Sequence, residues 1–156
     1  MMTENTRRGV TMDWRRWFRR GFFAVISLAL AIQVVPYGRA HDNPPVRSEP
    51  QWDSPGTRDL VVRACFDCHS NETEWPWYTN IAPISWLTTR DVDEGRDELN
   101  FSEWGRGEEE ADELVESVLD GEMPPVYYGW AHSSARLSDT ETQQLIEGLR
   151  ATFGSG

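Results

Sequence analysis

The sequence predicts an all-α protein, in which a small domain of four helices follows a single N-terminal helix. Apolar residues recur at helical spacing in four segments after residue 55, and no convincing alternating pattern of a strand lies between them. Capping residues flank those segments. Near the amino terminus an uncharged run follows a cluster of arginines, which is typical of a membrane anchor or a signal sequence.

The four helices of the predicted domain have recognisable beginnings or ends. Ser54 and Pro55 provide an N-cap and a first-turn proline for the first helix, and Gly121 provides the C-cap of the third. A Ser-Asp-Thr-Glu capping box at 138–141 begins the fourth. In chain order, the predicted helices cover about residues 56–64, 83–99, 108–120 and 138–153.

The predicted hydrophobic core is small. The helical stripes supply only about a dozen aliphatic side chains to a body of 116 residues, which is little for independent stability. The body also contains six tryptophans, which fill a core by default and could equally line a cofactor (Trp52, Trp75, Trp77, Trp86, Trp104 and Trp130). We therefore expect a flat apolar macrocycle to fill the centre of the domain.

Charge divides the chain into two parts of opposite sign. The net charge of the 156 residues is −11, and there is no lysine. Residues 1–40 carry seven arginines against two acids, a net charge of +5, whereas the remaining residues carry eight arginines and 24 acids, a net charge of −16. The acidic body argues against nucleic acid as a partner and favours partner proteins with basic docking surfaces.

The uncharged run covers residues 21–35, or 21–37 with Pro36 and Tyr37, and is near the lower limit for a helix that crosses a bilayer. It is either a retained anchor or a signal sequence that is cleaved after Ala40. Both alternatives place the acidic body on the periplasmic or extracytoplasmic side of the cytoplasmic membrane. The predicted organisation is a basic cytoplasmic segment, an anchor or signal sequence, a linker and the helical domain (1–20, 21–37, 38–55 and 56–156).

Cys65-Phe66-Asp67-Cys68-His69 is the attachment motif of a c-type haem. Both thiols add to the vinyl groups of the porphyrin, and the imidazole of His69 ligates the iron. A redox dithiol is the first alternative, although the strand–helix context that it requires is missing from the sequence. The others are a disulfide between Cys65 and Cys68 and a zinc site in which His132 is the fourth ligand.

The sixth iron ligand is predicted to be Met123. This methionine lies outside every helical stripe, and Pro124 stiffens the loop that presents its thioether. His132 is the alternative ligand, with a surface or hydrogen-bonding role as its ordinary interpretation. His41 lies in the linker, where we expect it to be solvated.

Several further motifs resemble the bacterial haem-binding domain family of small cytochrome c-like proteins. The similarity extends over about residues 42–150, and residues 34–39 and 43–46 resemble the family's entry from a retained membrane helix. The resemblance implies a cytochrome c-like fold around one covalent haem, with Cys65, Cys68 and His69 as attachment and proximal residues and Met123 at the family's Met-Pro position. The motifs that carry it lie at residues 64–73, 75–78, 81–86, 100–104 and 121–124.

These observations predict a membrane-tethered mono-haem cytochrome that transfers electrons and is not itself an enzyme. Its iron, bound by His69 and Met123, changes between the ferrous and ferric states. One alternative is a haem-based sensor or peroxide-reactive enzyme whose sixth position opens to substrate. Another is a non-haem metal site or an interaction module.

Overall fold

The chain is all-helical over the residues that a computed structural model describes, 13–105 and 111–154. In these ranges there is no strand, and one isolated bridge pairs Ser48 with Glu103. The predicted all-α class is therefore confirmed. The α-helices are α1 (Trp14–Ile32), α2 (Pro55–Ala64), α3 (Phe66–His69), α4 (Ile84–Glu98), α5 (Ala111–Leu119), α6 (Tyr128–Ala131) and α7 (Asp139–Phe153), and 3₁₀ turns cover Trp77–Asn80 and Ser133–Ala135.

The chain divides after Pro36 into two units, and the first contains α1. Asp13 caps this helix, because its carboxylate accepts the backbone N–H of Arg16 and pairs with the guanidinium of the same residue at 2.8 Å. The helix covers more of the arginine cluster and less of the apolar run than the predicted segment 21–37. No helix in the described part of the chain combines the length and the apolar character that a bilayer crossing requires.

The second unit is built on the crossing of α2 and α7. Ser54 caps α2 as predicted, since its hydroxyl accepts the backbone N–H of Thr57 at 3.2 Å. Gly148 faces the same threonine, and a Cβ at that glycine would lie 2.1 Å from Thr57 Oγ1. The two helices can approach this closely because residue 148 has no side chain.

The predicted second, third and fourth helices correspond to α4, α5 and α7. The acidic run at 108–110, predicted to begin the third helix, lies outside the described residues. Gly121 ends α5 with a φ of +73°, the left-handed conformation that favours glycine at a helix C-terminus. Ser138 and Glu141 form the predicted capping box of α7.

Side chains from α2, α3, α5 and α7 form the core together with Phe101, which is fully buried. Trp52 and Trp104 extend the core by packing against Phe101 and Phe153, with ring centroids 4.6–6.0 Å apart. Not all of the tryptophans lie in the interior, since Trp77 and Trp130 are 76% and 79% exposed. The other buried apolar members are Leu60, Val61, Ala64, Cys65, Phe66, Leu114, Val118, Leu145, Ile146 and Leu149.

The predicted linker at 38–55 is hydrogen-bonded to the domain rather than free of it. Asn43 donates its amide to the carbonyl of Thr73 at 2.9 Å, and the carbonyl of Pro45 accepts the amide of Asn71 at 3.2 Å. Its other contacts include the backbone N–H of Arg47, which donates to the Ser102 carbonyl at 2.8 Å. This segment follows the surface of the domain because its polar groups find partners there.

The capping box makes a testable contribution to stability. Hydrogen bonds from Ser138, together with the guanidinium of Arg63 at 2.7 Å, lower the pKa of Glu141 from 4.5 to about 2. Because the folded state binds this proton less readily than the unfolded chain, the stabilisation is present above pH 4.5 and is lost as the pH falls towards 2.

We expect Glu141→Gln to be less stable than the wild type at neutral pH, with a difference that shrinks steadily in acid. Glutamine is chosen because it keeps the shape of the side chain and lacks its charge, so the comparison with the wild type isolates the charge. Urea denaturation of both proteins between pH 7 and pH 3 measures the difference, and a constant difference over that interval contradicts the assignment.

Candidate functional site

The motif Cys65-Phe66-Asp67-Cys68-His69 lies where α2 ends and the single turn of α3 begins. The backbone N–H of Cys65 still bonds to Val61, whereas the Cys65 carbonyl accepts the N–H groups of Cys68 at 3.2 Å and His69 at 2.9 Å. One helical turn therefore presents both sulfurs and the imidazole together. Both cysteines are free thiols, and Cys65 is buried while Cys68 is half-buried.

The imidazole of His69 is oriented by the backbone at the end of α4. Its Nδ1 lies 2.9 Å from the carbonyl oxygen of Gly95 and 3.2 Å from that of Leu99. Since a carbonyl oxygen only accepts hydrogen bonds, Nδ1 must carry the proton. The neutral ring then has its lone pair on Nε2, which is the state that a metal-ligating histidine requires.

Gly95 permits the close approach of α4 to the cysteine motif. A Cβ at this position would lie 2.7 Å from the carbonyl oxygen of Cys68 and 3.1 Å from its Cβ. Any side chain would push the two backbones apart and lengthen the bond from His69 to the Gly95 carbonyl. The absence of a side chain is therefore part of the site.

A cavity of about 260 Å³ brings together the four residues that the sequence predicts for the site: Cys65, Cys68, His69 and Met123. Leu114, Pro124 and Pro125 add apolar surface to its lining. A second cavity, of about 160 Å³, adjoins the first and shares Cys68 with it. Its lining is mainly apolar and includes Ile84, Leu87 and Tyr127.

Met123 lies in the loop after α5, and a hydrogen bond of its backbone N–H fixes its position. Its N–H donates to the Ser117 carbonyl at 3.1 Å, and the half-buried side chain packs against the core. The structure thus brings the thioether of Met123 and the imidazole of His69 to one cavity, as the sequence predicts.

The other two histidines do not line that cavity. His132 contributes to the second cavity, where its Nδ1 lies 3.2 Å from the Tyr128 carbonyl and its Nε2 3.0 Å from the Tyr78 hydroxyl. Hydrogen bonds therefore occupy both ring nitrogens of His132. His41 is not solvated as expected, because its ring stacks on Trp75 with centroids 4.6 Å apart and its Nε2 bonds to Thr79.

The thiols do not resemble those of a redox pair or a zinc site. Burial raises the pKa of Cys65 and of Cys68 from 9.0 to about 12, so both stay protonated at neutral pH. A reactive dithiol requires the opposite shift. In addition, the described residues contain no group of three or more histidine, cysteine or acidic side chains that could hold a metal ion.

Acidic side chains line the mouth of the larger cavity. Asp91, Glu94 and Glu98 follow one another along one face of α4, and all three contribute to its lining. Arg90 pairs with Glu94 at 2.7 Å, and burial raises the pKa of Asp91. The cavity therefore opens onto a surface of negative charge.

Sequence reasoning did not identify the partners of Asp67 and Arg96. The Asp67 carboxylate accepts the Tyr128 hydroxyl and the backbone N–H of Glu74. Arg96 donates to neutral acceptors on both sides of the motif, which are the carbonyls of Asp42 and Ser70, the Asn43 amide oxygen and the Thr73 hydroxyl, at 2.8–3.0 Å. No local sequence pattern predicts such pairs, since their members are separated by up to 61 residues.

Comparison with known proteins gives one family. The sequence model of a family described as a haem-binding domain matches residues 27–151, which includes every residue of the cavity. No curated protein and no solved structure matches the chain.

The close approach at Gly95 can be tested by adding one methyl group. Alanine is the better helix former by about 1 kcal/mol, so helix propensity alone predicts that Gly95→Ala stabilises α4. We expect a loss of about 1–3 kcal/mol instead, because the new Cβ meets backbone atoms of Cys68.

Gly56→Ala is the matched control, since its Cβ would find only Ser54 Oγ at 3.8 Å. Denaturant unfolding of both variants gives the two free energies. Equal stability changes of the same sign for the two alanines would refute a role for Gly95 in this packing.

Proposed function

The chain belongs to the haem-binding domain family, and on this basis we propose that it is a membrane-tethered mono-haem c-type cytochrome that transfers electrons. The observation that carries the proposal is the shared cavity of Cys65, Cys68, His69 and Met123. These four side chains are the donor set that one covalent haem would require, with two thiols for attachment and an imidazole and a thioether for the iron.

The residues of the cavity fit a porphyrin in three respects. Cys65 and Cys68 lie one helical turn apart as free thiols, and each S–H would add across the C=C bond of a vinyl group. His69 has its Nε2 lone pair available for iron. The walls contributed by Leu114, Ile84 and Leu87 are apolar, and the last two are 45% and 54% exposed, so a macrocycle would bury them.

Haem supplies one-electron redox chemistry when it is bound. His69 and Met123 would bind the iron, and the bonds from His69 Nδ1 to the carbonyls of Gly95 and Leu99 would fix the ring and strengthen its donor nitrogen. Leu114 and the prolines would exclude water from the cavity, which raises the reduction potential.

The charge of the chain supports a membrane-side role with protein partners. Arginines at 15, 16, 19 and 20 precede the uncharged run and would remain on the cytoplasmic side, with the domain in the periplasm. Asp91, Glu94 and Glu98 at the mouth of the cavity favour a redox partner with a basic docking surface. Association through such charges weakens with salt.

The axial ligand can be tested with Met123→Ala. The oxidised wild type should be low-spin and show the weak sulfur-to-iron band at the red end of the spectrum. We expect that band to disappear in the variant while the covalently bound haem is retained, and a pyridine haemochrome assay checks the haem content. An unchanged red band would refute ligation by Met123.

The same pair of proteins tests the alternative of a sensor or peroxide-reactive enzyme. Carbon monoxide should bind the reduced wild type slowly and the reduced Met123→Ala variant quickly, because the thioether blocks the sixth position only in the former. Glu141→Gln is the control, because the capping box lies outside both cavities, and it should bind carbon monoxide as slowly as the wild type. Fast binding by the wild type would favour the alternative function.

Cell fractionation tests the membrane tether. In cells that mature c-type cytochromes, haem staining should find the full chain in the membrane fraction. A chain that begins at residue 41, fused to a cleavable export signal, should appear as a stained soluble protein. Stained full chain in the soluble fraction would contradict the tether, and unstained chain in both fractions would contradict the haem.

A further inference from the structure

A cluster of polar side chains outside the donor set connects three segments around the cavities. The hydroxyl of Tyr128 donates to the Asp67 carboxylate, and the ring of Tyr128 stacks on His132 with centroids 4.1 Å apart and planes inclined by 18°. His132 in turn contacts Tyr78 through Nε2 at 3.0 Å. The bonds therefore link α3, the turn Trp77–Asn80 and α6.

The direction of each bond follows from the chemistry of the acceptors. Nδ1 of His132 faces the carbonyl oxygen of Tyr128 at 3.2 Å and must carry the proton. Nε2 then accepts a hydrogen bond from the Tyr78 hydroxyl, just as the Asp67 carboxylate accepts one from the Tyr128 hydroxyl. Every polar group of the cluster has a complementary partner, so the cluster forms one specific arrangement.

The cluster holds one end of the segment that carries Met123. The other end is fixed at α5, where the N–H of Met123 bonds to the Ser117 carbonyl. Two prolines, Pro124 and Pro125, follow the methionine, and the Tyr128 N–H returns to the Pro125 carbonyl at 3.0 Å. Because proline fixes φ, this short connection is stiff, and a displacement of α6 would move the thioether with it.

We propose that Asp67, Tyr78, Tyr128 and His132 form a clasp that positions Met123 as the sixth ligand. The inference rests on the proposed function and adds to it. On this proposal, how firmly Met123 binds the iron depends on residues that are not themselves iron ligands. Asp67 is central, because this residue lies next to Cys68 in the attachment motif and anchors the segment that carries Met123. Release of the clasp frees that segment and allows an external ligand to displace the thioether.

Tyr128→Phe in the full haem-loaded chain is the direct test. It removes one hydroxyl and keeps the ring that stacks on His132. We expect imidazole to displace Met123 from the ferric protein at a concentration lower by roughly tenfold or more, the factor that corresponds to the loss of a hydrogen bond to a charged group. Loss of the sulfur-to-iron band during the titration measures the displacement.

Two control variants separate positioning from a general loss of stability. Tyr37→Phe removes a hydroxyl from an exposed tyrosine outside the clasp and should leave the imidazole affinity unchanged. Gly148→Ala should lower the global stability, because its Cβ would collide with Thr57 at the crossing of α2 and α7, again without changing the affinity. Tyr78→Phe removes a different bond of the clasp and should raise the affinity, though less than Tyr128→Phe.

The outcomes distinguish the clasp from the ligand assignment. A wild type that shows the red band, together with a Tyr128→Phe variant that binds imidazole as the wild type does, overturns the clasp and leaves the axial ligand in place. A wild type without the band overturns both. If the affinity for imidazole rises equally in Gly148→Ala and in Tyr128→Phe, the effect comes from global stability, which also overturns the clasp.

Discussion

The hydrogen bond from His69 Nδ1 to the Gly95 carbonyl is the constraint on which the site depends. It connects the end of α3 to the last turn of α4, and it forms because residue 95 has no side chain to hold the backbones apart. Carbonyl groups near the C-terminus of a helix carry partial negative charge, which favours the donation by the imidazole. The tautomer of His69 is therefore set by main-chain atoms and not by a side chain.

Arg96 extends this constraint into the preceding segment. Burial lowers the pKa of its guanidinium, and its nearest acceptors are neutral oxygens rather than a carboxylate. The neighbouring residues Gly95 and Arg96 thus bind His69, at the end of the cysteine motif, and Ser70, directly after it. The residues before α2 consequently belong to the frame of the site, although the sequence describes them only as a polar, proline-rich linker.

Local signals predicted what depends on neighbours in the chain. Short stretches of sequence were enough to predict the caps at Ser54, Gly121 and Ser138 and the helical class. The close approach at Gly95 and the bond between Asp67 and Tyr128 are not, since they arise only when distant segments pack. His41 was misjudged for the same reason, because its partners Trp75 and Thr79 are more than thirty residues away.

The two sides of the cavity are held by different kinds of bond, and this difference has a consequence for ligand exchange. Main-chain carbonyls orient His69, and a close helix contact makes their positions difficult to change. Met123 is presented by a loop whose far end relies on the hydroxyls of Tyr78 and Tyr128. Side-chain bonds at the margin of a domain open at lower cost than packed helix contacts, so in the proposed haem protein the exchange of an iron ligand would begin at Met123.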